Sequence, residues 1–152
     1  MVNNRIVFFV LIMMLFCGTV VAEESGFGVG VILGEPTGIC CKFWTGSNTA
    51  IDGAAAWSFA DEDALHLHAD YLFHNFDLYE VEKGKLPFYF GLGGRFKLEE
   101  DTKVGIRIPI GGTYIVEGAP LDIFLEIVPV LDLVPGTEFE LNGAVGIRYF
   151  FP

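Results

Sequence analysis

The stretch Ala64-Leu65-His66-Leu67-His68-Ala69-Asp70-Tyr71-Leu72-Phe73-His74-Asn75 decides the fold. Leu65, Leu67, Ala69, Tyr71 and Phe73 share one parity, while His66, His68, Asp70 and His74 share the other, with Leu72 the one apolar exception. Successive side chains of an extended strand point to opposite sides, so this order gives one greasy and one polar face. At 3.6 residues per turn the same residues would scatter around a helix, and the segment therefore predicts a strand.

Working outward, the same period of two recurs. Phe139, Leu141, Gly143, Val145, Ile147, Tyr149 and Phe151 oppose Glu138, Glu140, Asn142, Ala144, Gly146, Arg148 and Phe150. Phe88, Phe90, Leu92, Gly94, Phe96 and Leu98 oppose Tyr89, Gly91, Gly93, Arg95 and Lys97. Softer versions begin at Phe27, Ile39, Ile51, Val104 and Leu121. Breaks rich in Gly, Pro, Asp, Glu or Asn separate them at Gly34–Thr37, Gly46–Asn48, Ala60–Asp63, Phe76–Gly84, Glu99–Thr102, Gly118–Pro120 and Asp132–Gly136. These breaks delimit eight strands, and every break but the longest, Phe76–Gly84, is short enough for a hairpin, hence antiparallel neighbours. Pro87, Pro109 and Pro129 fall within strand-like runs, where each removes a ladder donor and marks a strand end or bulge.

The segment before the barrel has a different character. Arg5 precedes Ile6–Phe16, an unbroken apolar run of eleven residues, and Val20-Val21-Ala22 supplies small residues. That run is too short for a transmembrane helix and fits an export signal, so residues 1–22 are expected to be a signal peptide and 23–152 the barrel domain. The chain has a net charge of −11 with 20 acidic residues. Such a surface repels polyanions, so no nucleic-acid partner is expected. Cys40 and Cys41 are adjacent; on a strand they point to opposite faces and read as small apolar fillers rather than a disulfide.

Two barrels share this alternation. A soluble, lipocalin-like periplasmic barrel turns its apolar face inward around an apolar ligand, whereas a membrane barrel turns that face outward into lipid. Here the apolar face is long, aromatic and nearly free of charge. The other face mixes Gly and Ala with both charge signs, Lys42, Arg95, Lys97, Arg107 and Arg148 against Asp52, Asp70, Asp122, Glu126 and Glu138. Small residues beside matched charges suit a cramped lumen, since an unmatched buried charge costs several kcal/mol. The fold class expected is therefore all-β, an antiparallel up-and-down eight-stranded transmembrane β-barrel. Trp44, Trp57, Tyr71, Tyr89, Tyr114 and Tyr149 are read as interface aromatics.

The C-terminal strand resembles that of bacterial outer-membrane barrels, which finishes in an aromatic residue preceded by apolar residues at alternate positions. Leu141, Val145, Ile147, Tyr149 and Phe151 match, with Pro152 one residue beyond. More narrowly, Glu35-Pro36-Thr37-Gly38 with Lys42 and Trp44, Phe124-Leu125-Glu126-Ile127-Val128-Pro129, and Gly146-Ile147-Arg148-Tyr149-Phe150 resemble a group of short bacterial barrels of the OmpA/OmpX type without assigned biochemistry. The resemblance implies a bacterial outer-membrane location, lipids and the barrel assembly machinery as partners, and Tyr149 and Phe151 as the assembly signal. It brings no catalytic residues.

Candidate chemistry is sparse. His66, His68 and His74 share a face with Asp70, and residues two apart on a strand lie roughly 6.5 to 7 Å apart, so two could reach one metal ion. The competing reading pairs these imidazoles with carboxylates inside the lumen. Acidic pairs such as Asp122 with Glu126 follow from alternation alone, and Ser58 near Asp61 and His66 is the one arrangement that could suggest a nucleophile. Neither a cofactor nor catalysis is expected. A lumen charge network of Lys42, Asp70, Arg95, Arg107, Glu126 and Arg148 is the feature to which the sequence points.

Overall fold

The computed structural model describes residues 26–35, 37–58 and 64–152. The expected signal peptide and the connection at 59–63, with Asp61, lie outside the described residues, as do the side chains of Trp57 and Ser58. The strands are β1 (Phe27–Gly34), β2 (Thr37–Trp44), β3 (Thr49–Ser58), β4 (Ala64–Asn75), β5 (Phe88–Leu98), β6 (Lys103–Arg107), β7 (Ile110–Ile115), β8 (Leu121–Val134) and β9 (Glu138–Phe150). Each pairs antiparallel with its neighbours, and β1 pairs with β9 to close the ring. β6 and β7 share one place between β5 and β8, so the ring has eight staves, an up-and-down barrel of the transmembrane type. Closure leaves no unpaired edge among the described strands to recruit another chain.

The sixth predicted strand is divided because of its proline. Pro109 accepts a bond from the Gly91 N–H at 2.9 Å, and Pro129 on β8 accepts one from the Ile108 N–H at 3.0 Å. Neither proline can donate in return, so the ladder thins at neighbouring positions in the wall. Alternation nevertheless persists through the gap, with Arg107 and Pro109 buried and Ile106, Ile108 and Ile110 turned out. The expected break at Asp132 is corrected: β8 runs on to Val134. A register shift at Val104/Gly105 places the extra residue Leu133 in a bulge near the rim, which turns Val134 outward.

The orientation of the faces follows the residue types. Phe73, Phe90, Leu92, Leu125, Phe139, Leu141 and Val145 are exposed on the outside of the cylinder. Lys42, Asp70, Arg95, Arg107, Asp122 and Arg148 are buried inside it. Exposed aromatic rings lean on one another along the outer wall, Phe73 stacking on Phe90 at 5.5 Å between ring centres. An aqueous surroundings would penalise so continuous an apolar belt, whereas hydrocarbon does not. Two residues read as interface aromatics are corrected. Tyr89 is buried in the lumen, and Trp44 shares the parity of Lys42, its ring 4.4 Å from that of His74 at the inner mouth.

Val145→Arg places a charge in the middle of the apolar belt. A cost of ~2–4 kcal/mol in lipid vesicles is expected for an arginine near the midplane. Urea titration of the folded barrel in vesicles measures it, and an unchanged midpoint would count against the outward orientation.

Candidate functional site in the lumen

The lumen is built from the polar parity of every stave. Its buried set holds five basic residues, Lys42, Arg95, Lys97, Arg107 and Arg148, and five acidic ones, Asp52, Asp70, Asp122, Glu126 and Asp132. Charges of opposite sign thus match in number, which the low dielectric inside the wall demands.

Each of the three lumen arginines grips a carboxylate in a fork. Arg148 gives Nε to Asp122 Oδ1 at 2.8 Å and Nη2 to Oδ2 at 3.0 Å. Its guanidinium also lies 4.1 Å from the centre of the Phe124 ring. Arg107 gives Nε to Asp70 Oδ1 at 3.0 Å and Nη2 to Oδ2 at 3.1 Å. Arg95 gives Nε to Asp132 Oδ1 at 2.9 Å, with Nη2 on Oδ2 and on Glu140 Oε2. Two parallel charge-assisted bonds fix orientation as well as charge, and a planar guanidinium supplies them where an ammonium could not.

Two of these forks reach over an intervening strand, and in each case a glycine lies beneath. Asp70 on β4 is opposite Gly93 on β5, which is opposite Arg107 on β6. Arg95 on β5 is opposite Gly105 on β6, which is opposite Asp132 on β8. A third contact repeats the plan: Tyr89 on β5, Gly111 on β7 and Glu126 on β8 stand in line, and the Tyr89 hydroxyl donates to Glu126 Oε2 at 2.7 Å. A β-carbon at Gly93 would collide with Asp70 Oδ1, one at Gly105 with Asp132 Oδ1, and one at Gly111 with the Tyr89 ring. The missing side chains are what let the partners meet.

Of the six residues expected to form the network, Asp70, Arg107 and Glu126 meet in one cluster, with Arg107 Nη2 3.6 Å from Glu126 Oε1. Arg95 forms its own group nearer the opposite rim, where Lys103 lies 3.2 Å from Glu138. Among the described residues Lys42 forms no ion pair within 4 Å. Its Nζ contacts His74 Nε2 at 2.8 Å and sits 4.2 Å over the Trp44 ring.

The three histidines do not converge. His74 lies by Lys42 and the Asn48 carbonyl, and His66 is buried opposite Lys97. His68 stands instead with Asp52 and Asp70, Nε2 being 4.0 Å from Asp70 Oδ2. The expected meeting of His66, His68 and His74 is therefore corrected: among the described residues His68 alone of the three lies with two carboxylates, Asp52 and Asp70. Cys40 is buried, Cys41 is half-buried, and neither is in a disulfide among the described residues. At the chain end Tyr149 and Phe151 are exposed outward, with ring centres 5.3 Å apart.

Asp132 and Tyr89 are network members that the expected set lacked. Both carry the lumen parity of their strands, Asp132 with Asp122 and Glu126, Tyr89 with Arg95. Reading parity before turn propensity or aromatic character would have found them.

Neither a protein family nor a curated protein matches this sequence. Solved structures match the fold. The N-terminal β-barrel domain of Pseudomonas aeruginosa OprF superposes with a TM-score of 0.60 at 10% identity, covering 84% of this chain and 100% of that one. A de novo designed transmembrane β-barrel gives 0.58 at 16% identity, covering 85% and 98%. This chain thus has the fold of the small transmembrane β-barrels, and within it that of the eight-stranded OmpA type.

The forks make a sharp stability test. Arg95→Met leaves Asp132 buried without its cation and should cost about 3–5 kcal/mol. Adding Asp132→Leu removes the stranded charge and should recover most of the loss. Unfolding of both variants in detergent or vesicles reads the difference. An Arg95→Met barrel as stable as the parent would show that the fork contributes nothing.

Proposed function

We propose that this chain is a bacterial outer-membrane barrel of structural or interaction type, with a lumen plugged by its own side chains and no catalytic role. The observation that carries the reading is the pairing of faces: forked ion pairs within, and an uncharged belt of Phe, Leu, Ile and Val without. Eight staves enclose a space that side chains can fill, and here arginines, aspartates, Phe124 and Tyr89 fill it. A soluble, lipocalin-like barrel around an apolar ligand would need the reverse lining, and Phe73, Phe90 and Phe139, at 44–69% exposed, stand on the outside.

The proposed partners are outer-membrane lipids along the belt and the barrel assembly machinery at the last strand, where Tyr149 and Phe151 present outward aromatics. The connections between staves are short at both rims, apart from residues 76–87 between β4 and β5, so broad adhesive loops play no part in the proposal.

Fractionation and conductance together test it. The full chain expressed in a Gram-negative host should be recovered from the outer membrane only with detergent. It should migrate faster in gels before boiling than after. Planar bilayers holding the purified barrel should lack porin-like steps. A monomer soluble in plain buffer would overturn the membrane reading, and steady open-channel currents would overturn the plugged lumen.

A further inference from the structure

Asp52 has an unusual place in the lumen. It lies on β3 directly opposite Asp70 on β4, although like charges directly opposed across strands repel. Asp70 is compensated by the Arg107 fork. Asp52 has no such fork: its carboxyl hydrogen-bonds that of Asp70, and Arg148 Nη1 is 3.9 Å away on a guanidinium already committed to Asp122. Lys42, opposite Asp52 in register, turns to His74 and Trp44 instead. The Asp52 side chain is 9% exposed, and its Oδ1 has no hydrogen-bond partner.

The third member of the group is also incompletely bonded. His68 follows on the lumen side of β4 two residues before Asp70, its side chain 4% exposed and its Nδ1 without a hydrogen-bond partner. One ring nitrogen of His68 and one oxygen from each aspartate all lie within 4.8 Å of one another. A first-row divalent ion with ligands at 2.0 to 2.2 Å needs donor atoms roughly 3 to 4 Å apart. A small contraction of these three side chains reaches that spacing.

We propose that Asp52, His68 and Asp70 form a binding site for a divalent transition-metal cation in the barrel lumen. Two carboxylates and one imidazole are hard and borderline donors, suited to Zn2+ or Mn2+ rather than to a soft monovalent ion. The cation would take the place of the proton in the Asp52–Asp70 hydrogen bond. Asp70 serves both partners, since a carboxylate has lone pairs enough for a guanidinium fork and a metal bond. With three protein ligands, one or more positions on the ion remain for water.

The test uses the full barrel, purified in detergent, stripped with chelator, incubated with Zn2+ or Mn2+ and then desalted. About one ion per chain is expected to remain with the parent protein. Asp52→Asn keeps the shape of the side chain, and His68→Gln keeps a hydrogen-bonding group. Each should lower affinity at least about tenfold, the loss seen when even supporting groups of metal sites are removed. His66→Gln, on the same face of β4, should bind like the parent. Co2+ loading adds an optical signature, since the ligand-field bands of the parent should shift or vanish in His68→Gln. Gel migration before and after boiling establishes that each variant is folded. If one aspartate or histidine variant fails to fold, the other carries the comparison. A parent that retains no ion overturns the site, and equal retention by folded Asp52→Asn or His68→Gln does so as well.

Discussion

A charge buried inside a closed β-wall is costly to leave unmatched, and this barrel depends on its three lumen arginines each gripping a carboxylate. The solution is geometric. Guanidiniums grip carboxylates through two parallel bonds, and where partners sit on staves that are not adjacent, a glycine between them clears the path. The outer wall could be greasy for many reasons, but it is tolerable in a folded chain only because the opposite parity is neutralised within. Removing one partner would therefore harm the barrel more than removing both, because the damage comes from the charge left behind.

Most of the fold was legible because alternation is a property of single strands. Ala64–Asn75 announces its two faces without reference to any neighbour, and the structure keeps that segment as one strand with those faces. Local chemistry misled only where it competed with parity. Asp132 resembles a turn residue beside Pro135 and Gly136, yet it completes the inward series from Asp122. Tyr89 has the character of an interface aromatic, yet its parity is that of Arg95, and its hydroxyl finds Glu126. The pairings themselves were not legible. Which arginine meets which aspartate depends on register between strands far apart in sequence, and nothing in the run around Arg95 names Asp132. The gathering of His68 with Asp52 was hidden for the same reason, since β3 must be laid beside β4 before they meet.

The prolines show how much irregularity the wall accepts. Pro109 and Pro129 each remove a donor from the ladder at adjoining positions, and the staves stay in register because the remaining bonds, from Gly91 and Ile108, hold both sides. Nearby on the inside, Leu72, Val128 and Val130 are buried, with Arg107 opposite Val130 and Asn142 opposite Val128.

A bond that skips a stave reports on three staves at once. Arg95 can meet Asp132 only when β5 is correctly seated on β6 and β6 on β8; Asp70 and Arg107 make the same demand of β4, β5 and β6. A slip by one residue at any of these seams would send arginines toward hydrocarbon and phenylalanines toward the axis. The glycine-spanning contacts thus tie the alignment of three staves to a single pair of side chains, with Gly93 and Gly105 as the windows through which they meet.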